Sequence, residues 1–428
     1  EIINAGLSWN DHLLAHIVEH FGEEVGLQLS NKYANRFMPG YMSRFLPSHA
    51  VNDIAYIESL NDNRVLAMNA YYVDDKEQFT IGLKLYRKHK TVPLSDALPM
   101  LENLGLRVIG EEPFQLTFET GEQVWINDLH MEYKTSSNHE FNDVREYFQD
   151  CFYHVWVGDA ENDTFNALSL TAKLNWREIV LLRAYAKYFK QIKMTFSLSY
   201  IAETLIRNTA VVELLMEMFS IKFNLDNTSN NRQADCDALS DKIIKMLEKV
   251  KVLDEDRILR KYLILLNATV RTNFYNRIDD AFAMKSYLTF KIDPALIPDF
   301  PVPVPVSEIF VYSPRFEGIH IRFDKVARGG LRWSSRREDY RTEVLGLSKA
   351  QQVKNSIIVP AGAKGGFITK NMPVDADRVK VMEEGITCYQ LFINGLLDSV
   401  DNIDGDHVVL SNTSLHYDGE DPYLVVAA

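Results

Sequence analysis

The amino-acid sequence predicts a multidomain protein of mixed α/β and α+β class. The chain has 428 residues, about three domains of ordinary size. Its hydrophobic periodicity changes from helical to alternating and back, which predicts helices and sheets in separate segments. A run of five prolines at 294–305 then precedes a segment of inverted charge that is rich in glycine. With 46% hydrophobic and 25% charged residues, the composition is that of a globular chain and excludes wholesale disorder.

The first 135 residues divide into a helical lead-in and a small module. Residues 1–63 have apolar positions at helical spacing, most clearly from Trp9 to Leu29. From Arg64 onward the spacing becomes strand-like, and a short helix stopped by Gly105 separates two pairs of alternating runs. The order ββαββ over 64–135 predicts an α+β module of the ligand-sensing type.

Residues 138–290 are predicted to form a helical domain. Asn175 and Glu178 have the spacing of a capping box ahead of WREIVLLRAYAKYF. SLSYIAETLIRN and KYLILLNATVRTNFY have the same helical periodicity. The run IDPALIPDFPVPVPV follows and predicts an extended linker, because proline cannot occupy a helix interior.

The last domain, 300–428, is predicted to be α/β. FEGIHIRF alternates as a strand, ARGGLRW follows it, and Ser335 with Glu338 predicts a capping box for a helix through Asn355. SIIVP has the composition of a short buried strand, PAGAKGG that of the turn after it, and DPYLVVAA that of a closing strand.

Charge is distributed unevenly along the chain. The whole chain carries −13 at neutral pH, which argues against general binding of nucleic acid or of an anionic membrane, and no apolar run reaches the length of a membrane span. Between Arg315 and Lys370, however, there are twelve Lys and Arg residues and five Asp and Glu residues, a net +7. Glycines lie among these cations and let backbone approach a ligand closely. This segment therefore predicts a site for a small anion, with a solvated basic surface as the alternative.

Lys364, in PAGAKGG, has several chemical interpretations. The phosphate-binding order G-x-x-x-x-G-K-[ST] is not matched, because glycine follows the lysine. A lysine that forms a Schiff base with a pyridoxal cofactor needs phosphate and ring-nitrogen partners that the sequence does not reveal. Burial and neighbouring cations would lower its pKa and favour a role as a base. A structural surface lysine is the remaining alternative, and the residue pattern alone leaves the choice open.

Longer motifs indicate one family. ARGGLRWSSRREDYRTEVLGLSKAQQVKNSIIVPAGAKGG resembles the substrate domain of glutamate dehydrogenases, and most closely the large NAD-specific bacterial type with its long N-terminal regulatory region. PLSDALPMLENLGLRVIGEEPF and DGEDPYLVVAA resemble that type as well. The resemblance implies oxidative deamination of L-glutamate to 2-oxoglutarate and ammonium with NAD, in a homo-oligomer. It also implies that 64–135 is an ACT-like module, which binds an effector or a partner subunit or only spaces the catalytic region.

The resemblance further implies roles for four residues. Arg328 stands where the family usually has lysine and would hold the side-chain carboxylate of glutamate, which a guanidinium can bind bidentately. Gln351 and Lys354 share one helix face and would hold the α-amino-acid end, with Lys354 on the α-carboxylate. Lys364 would be the catalytic lysine, which activates water. PAGAKGG has one glycine fewer than the family's loop, which leaves the role of Lys354 open.

The family's nicotinamide domain is expected to lie outside this sequence. No G-x-G-x-x-G follows a predicted strand, and the family's catalytic aspartate is expected just beyond Ala428. The chain opens without an initiator methionine or a signal-like segment, so it is predicted to begin within a longer protein. We expect a piece that supplies the glutamate-binding half and is inactive alone. The alternative is a non-catalytic regulatory or assembly segment that senses a dicarboxylate or an amino acid.

Three further patterns carry less information. His16, Glu19 and His20 spell H-x-x-E-H, as in inverted zinc proteases, but no third ligand is identified, and no metal is expected. The three cysteines are too far apart for a disulfide framework and favour a reducing, cytoplasmic compartment. Acidic residues near the C-terminus have the chemistry of cation ligands but are more typical of turns. These residues are Asp404, Asp406, Asp418 and Glu420.

Overall fold

The computed structural model describes residues 8–73, 80–133, 140–278, 283–355, 362–372, 377–410 and 414–427. The chain divides into two compact units. The first consists of Glu1–Trp156 and Asn162–Lys173, and the second of Val157–Glu161 and Leu174–Ala428. In the ranges given above, no helix is both long enough and apolar enough to cross a membrane.

Helices precede the sheet of the first unit. They are α1 (Trp9–Phe21), α2 (Glu23–Tyr33), α3 (Pro39–Arg44) and α4 (Pro47–Glu58). The sequence predicts one helix from Trp9 to Leu29, but Gly22 divides it. Gly22 has a φ of 82°, and its N–H donates to the carbonyl of Val18, so α1 ends there and the chain changes direction before α2.

The predicted ββαββ module is confirmed in the first unit. Its elements and the helices after it are β1 (Ala67–Tyr72), β2 (Thr80–Lys88), α5 (Leu94–Asn103), β3 (Leu106–Thr117), β4 (Gln123–Tyr133), α6 (Phe141–Val157) and α7 (Leu168–Thr171). The strands form an antiparallel sheet in the order β1-β2-β4-β3. A mixed fold of helices and sheets, as the sequence predicts, is therefore established already in this unit.

A buried carboxylate ties the helices of the first unit to its sheet. Asp53 on α4 accepts hydrogen bonds from Lys84 Nζ at 2.6 Å and Tyr86 Oη at 2.7 Å, both on β2, and from the hydroxyl of Tyr41. Lys84 Nζ also lies 3.5 Å from the centre of the Phe45 ring. Burial, followed by the charge of Asp53, holds the pKa of Tyr86 well above its ordinary value, so this hydroxyl remains a donor. The buried ion pair is thus enclosed by partners, the condition under which such a pair is tolerated.

The second unit begins with helices and continues into a mixed sheet. The helices are α8 (Trp176–Gln191), α9 (Leu198–Arg207), α10 (Thr209–Phe223), α11 (Arg232–Leu247) and α12 (Leu253–Ala268), followed later in the chain by α13 (Tyr340–Asn355) and α14 (Arg378–Leu397). The predicted capping box of α8 is confirmed, because the side chains of Asn175 and Glu178 each accept a hydrogen bond from the other's backbone N–H.

The sheet of the second unit is assembled from segments that are far apart in sequence. Its strands are β5 (Thr269–Thr272), β8 (Leu288–Ile292), β9 (Ser307–Tyr312), β10 (Phe316–Arg322), β11 (Arg328–Trp333), β12 (Ala363–Thr369) and β15 (Val425–Ala427). Separate small ribbons pair β6 (Arg277–Ile278) with β7 (Ala283–Met284), and β13 (Asn402–Asp404) with β14 (His407–Val409). The order in the sheet is β15-β11-β12-β10-β9-β8-β5, and β11 runs parallel to both of its neighbours while the other pairs are antiparallel.

Helices cover both faces of this sheet. On one face Val344 of α13 lies against Gly366 of β12, and α8 packs beside α13. On the other face the ring centre of Phe392, on α14, lies 6.0 Å from that of Phe367. Because successive residues of a strand point to opposite faces, the adjacent residues Gly366 and Phe367 mark the two sides of a three-layer α/β/α arrangement.

Strands occur in the second unit where the sequence predicts helix. Helix α12 ends at Ala268, and the β-branched run TVRT that follows is β5, so KYLILLNATVRTNFY is only partly helical. The proline run connects β8 to β9, its neighbour in the same sheet, and is therefore not a linker between domains. The predicted boundary between 138–290 and 300–428 consequently cuts through one sheet.

The glycine-rich segment also differs from the expectation. Lys364 lies on β12 and not in a turn, because its strand pairs with β10 on one side and β11 on the other. The predicted strand SIIVP falls outside the described residues. Helix α13 begins at Tyr340, later than the predicted cap at Ser335, because the side chain of Ser334 accepts from the N–H of Arg336 and holds this stretch in a turn.

Candidate functional site

Two of the predicted site residues, Arg328 and Lys364, lie on neighbouring parallel strands. Arg328 begins β11 and pairs with Gly362, just ahead of β12, and Leu331 pairs with Gly365. This register offsets Lys364 from Arg328 by two residues along the sheet. With strands about 4.8 Å apart and about 3.3 Å per residue, their Cα atoms are about 8 Å apart. Strand alternation places both side chains on the face that α13 covers.

Neither cation is neutralised by a carboxylate of the described chain. Several other cations of the basic segment are paired, among them Arg332, whose Nε lies 2.6 Å from a carboxylate oxygen of Glu343. Within the ranges that the structure describes, Arg328 and Lys364 form no ion pair. Arg328 is exposed and Lys364 is half-buried. Two unpaired cations on one face attract an anion of double charge at this place.

Gln351, the third predicted residue, reaches the same place from α13. Its Nε2 donates to the main-chain carbonyl of Arg328 at 2.9 Å. Its Oε1 is buried and has no hydrogen-bond partner among the described residues. That oxygen lies 3.3 Å from where a Cβ atom would stand on either Gly329 or Gly362. A buried acceptor without a donor costs about 1–3 kcal/mol, so a donor from a bound ligand would be stabilising at this oxygen.

The glycines of the site serve packing. A Cβ atom on Gly329 would lie 1.6 Å from the carbonyl oxygen of Ala363, and one on Gly366 would lie 2.6 Å from Val344 Cγ2. From the sequence, these glycines are expected to let backbone approach a ligand closely. In the structure, at these two positions, the close neighbours are protein atoms, and glycine lets β11, β12 and α13 approach one another.

Lys354, the fourth predicted residue, is placed only by its backbone. It lies in the last turn of α13, one turn beyond Gln351, and its side chain is outside the described part of the chain. Its convergence with Arg328 and Lys364 stays a prediction.

The remaining motifs do not form a metal site in the described residues. His16 Nδ1 lies 3.5 Å from Glu19 Oε2 on α1, and no group of three His, Cys, Asp or Glu side chains suited to a metal occurs in the ranges covered. Asp418 is engaged by cations of the protein itself, at 2.6 Å from Arg271 Nε and 2.5 Å from Lys291 Nζ. The charge of this carboxylate is therefore neutralised by cations of the protein itself.

The C-terminal segment frames the site, and sequence reasoning missed this. β15 runs parallel to β11 with Val425 opposite Arg328, so the predicted closing strand DPYLVVAA lies directly beside the candidate site. The sequence does contain a signal for such distant contacts, namely a charged residue inside an otherwise apolar strand. Such residues are rarely fully buried unless they are paired, so Arg271, Lys291 and Arg322 indicate buried carboxylate partners elsewhere in the chain.

Family models of glutamate dehydrogenases match the chain in succession. The model described as bacterial NAD-glutamate dehydrogenase, catalytic domain, matches residues 242–428. Those for helical motif 3, the ACT3 domain and helical motif 2 of glutamate dehydrogenase match 160–225, 65–144 and 16–60. The catalytic-domain match contains the candidate site, and the ACT3 match contains the ββαββ module.

Curated relatives align with the whole chain. The NAD-specific glutamate dehydrogenase of Pseudomonas aeruginosa is 47% identical over 430 residues, which is 100% of this chain and 26% of the relative. The enzymes of the same name from Halomonas elongata and Mycobacterium tuberculosis are 44% and 39% identical, again over 100% of this chain and 26% and 27% of the relatives. The chain thus spans about a quarter of the length of the curated relatives it matches.

Proposed function

Because this chain belongs to the family of bacterial NAD-specific glutamate dehydrogenases, we propose that it supplies the glutamate-binding half of such an enzyme. The reaction would convert L-glutamate, NAD⁺ and water to 2-oxoglutarate, ammonium and NADH. The observation that carries this proposal is the pair of unneutralised cations, Arg328 and Lys364, on one face of adjacent strands.

Each site residue takes a role that its chemistry supports. Arg328 binds the side-chain carboxylate of glutamate with its planar guanidinium. Gln351 Oε1, which is buried and free to accept, receives a hydrogen bond from the ammonium of the substrate. Lys354 holds the α-carboxylate. Lys364 takes the proton of the water that attacks the substrate imine once the hydride has left Cα.

We assign the dinucleotide to a domain outside this chain. NAD accepts the hydride when it is bound. None of the described strands is followed by a G-x-G-x-x-G turn into a helix N-terminus, the arrangement that holds a pyrophosphate, so the residues present do not fit this cofactor. The partner of this chain in catalysis is accordingly a C-terminal NAD domain, and the chain alone is inactive.

Replacement of Lys364 by alanine in the full-length enzyme tests the proposal. Loss of a positioned proton acceptor is expected to lower kcat by about 10²–10⁴-fold. Lys325→Ala is the matched control, because Lys325 is an exposed lysine of the same basic segment and is expected to leave kcat unchanged. Retention of most of the activity by the Lys364 variant, with its folded state verified by circular dichroism, would refute the assignment.

A regulatory or assembly segment is the second candidate function. The matches of 65–144 to an ACT3 domain and of 16–60 to helical motif 2 of glutamate dehydrogenase favour it for the first unit. That unit would bind an amino-acid effector or a partner subunit of a homo-oligomer. Joining this chain to its C-terminal region and measuring NADH formation separates the two candidates, because a segment that only senses a dicarboxylate produces none.

We also propose a cytoplasmic location and, for the first part of the chain, the division inferred from the sequence into a lead-in over 1–63 and an ACT-like module over 64–135. None of the three cysteines, all of which lie in the described ranges, forms a disulfide bond, and all three are buried, which fits a reducing compartment.

A further inference from the structure

A strap, residues 414–424, links the two edges of the sheet in the second unit. At one edge His416 bridges to Arg271 of β5, and the N–H of Tyr417 donates to the carbonyl of Val270 at 3.0 Å. At the other edge the strap continues into β15, which pairs with β11. Between the edges it lies on the face that α14 shares, opposite the face of the candidate site.

Arg271 on β5 holds the first part of the strap. Its Nε donates to Asp418 at 2.6 Å, and one of its terminal nitrogens donates to the carbonyl of Gly419 at 2.9 Å. Its other terminal nitrogen donates to Asp401, which follows α14, at 2.6 Å. Asp401 in turn accepts the N–H of Asp421 at 2.7 Å. The strap is thus joined to both the edge strand and the segment after α14.

Lys291 and Arg322 hold the second part. Lys291 Nζ on β8 lies 2.5 Å from both Asp418 and Asp421. Arg322 on β10 donates to Asp421 at 3.0 Å and to the carbonyl of Tyr423 at 2.6 Å. Burial alone would raise the pKa of Asp421, but the hydrogen bond from Arg322 and the charge of Lys291 lower it to about 2. The carboxylate is therefore charged at every physiological pH.

The charges of this network are buried and balanced. The cations Arg271, Lys291 and Arg322 are 2–3% exposed, and Asp401, Asp418 and Asp421 supply one negative charge to each. The hydrogen bonds are directional, so the network fixes where the strap crosses the strands. Loss of one member leaves a buried charge unpaired, which is more costly than loss of an exposed pair.

The network ends beside both cations of the candidate site. Arg322 pairs with Ala363, the residue before Lys364, and the strap leads within a few residues to Val425, the partner of Arg328. Asp421 therefore joins, through Arg322, the strand that flanks Lys364 to the strand that flanks Arg328. The strap therefore holds the two strands that lie on either side of these two cations.

We propose that Asp421 and Arg322 are positioning residues for glutamate binding, which set the separation of Arg328 and Lys364 from the opposite face of the sheet. This inference rests on the function proposed above. Neither residue reaches the candidate site, because both point to the other face. Their effect on the reaction is therefore indirect and acts on the fit of the substrate.

The test uses full-length enzyme with Asp421→Asn, which keeps the shape and removes the charge, and Arg322→Lys, which keeps the charge and removes the planar fork. Both variants are expected to raise the KM for L-glutamate at least tenfold while the KM for NAD⁺ stays within twofold. Hydrogen exchange is expected to accelerate in both 418–427 and 325–333. Asp421→Glu is expected to recover part of the KM. Asp404→Asn, in the exposed β13–β14 ribbon, is the control and should behave as wild type.

A merely structural role gives a different result. It lowers the folded fraction and the apparent kcat but leaves the KM of the folded enzyme unchanged, and that outcome would overturn the inference. Failure of both variants to fold would overturn it as well. If instead Lys364→Ala keeps its turnover while the exchange pattern changes as expected, the proposed function fails and the coupling of the strap to β11 stands.

Discussion

Replacing Gly329 by alanine is expected to separate β11 from β12 and to weaken the candidate site. The new Cβ atom would lie 1.6 Å from the carbonyl oxygen of Ala363, whereas a carbon–oxygen contact needs about 3.3 Å. Because the obstacle is backbone, the strands must move apart by more than about 1.5 Å, beyond the range of an ordinary hydrogen bond. Overpacking typically costs about 1–3 kcal/mol, and a clash with backbone lies at the upper end of that range. A loss of about 3 kcal/mol lowers the Tm of a unit of this size by roughly 6–12 °C.

Gly346 provides the matched control on α13. A Cβ atom there meets nothing within 4 Å, and alanine in a helix interior is more favourable than glycine by about 0.5–1 kcal/mol. Gly346→Ala should therefore raise the free energy of unfolding slightly. Urea denaturation followed by circular dichroism measures both changes, and the KM for glutamate in the full-length enzyme reports on the site. A Gly329→Ala variant with wild-type unfolding and wild-type KM would refute the reasoning.

Three further expectations concern buried groups of the second unit. Glu308→Gln leaves the fully buried Arg341 without its carboxylate and should lower the free energy of unfolding by about 3–5 kcal/mol in denaturant titrations; a loss below about 1 kcal/mol would contradict it. Burial, and then the charge of Arg322, lowers the pKa of His320 to about 3, so below pH 6.5 the unfolded chain binds a proton that the folded chain does not. The free energy of unfolding therefore decreases as the pH is lowered, by about 2 kcal/mol at pH 5. His320→Leu should remove this part of the difference in unfolding free energy between pH 7 and pH 5. An unchanged difference would count against the lowered pKa of His320. Burial raises the pKa of Cys388 to about 12, so native protein should react slowly with iodoacetamide at pH 8 and rapidly in urea, and fast labelling of the folded protein would show that the thiol is accessible.

Local signals predict local structure well in this chain. The ββαββ order and the capping box at Asn175 and Glu178 are confirmed, because alternation and capping depend on residues a few positions apart. The sequence predicts a turn around Lys364, because PAGAKGG contains proline and glycine and follows a predicted strand. It is a strand because β10 and β11, from other parts of the chain, supply its hydrogen bonds. The proline run was misjudged for the same reason, since only the sheet order shows that it joins neighbouring strands.

The candidate site shows the same division between local and distant information. The family resemblance, which the family models and curated relatives confirm, indicates which residues to consider. The resemblance brings Arg328 and Lys364 into one site, but local periodicity alone does not, because their proximity depends on the register of two strands that are 34 positions apart in the chain. The strap was missed because Asp421 meets Arg322 across 99 positions, a distance at which periodicity carries no information.

The strap has a consequence for the order of events at the ribosome. Strands β5, β8 and β10 emerge from the ribosome well before residues 418 and 421. Arg271, Lys291 and Arg322 therefore remain hydrated at first, and the face of the sheet that the strap covers cannot yet be buried. This unit can therefore reach its final packing density only after Asp418 and Asp421 have been synthesised. A nascent chain halted ahead of Asp418 would expose Arg271, Lys291 and Arg322 without their carboxylate partners on a face of the sheet that is buried in the complete fold. Such an incompletely packed surface would be recognised by chaperones and proteases.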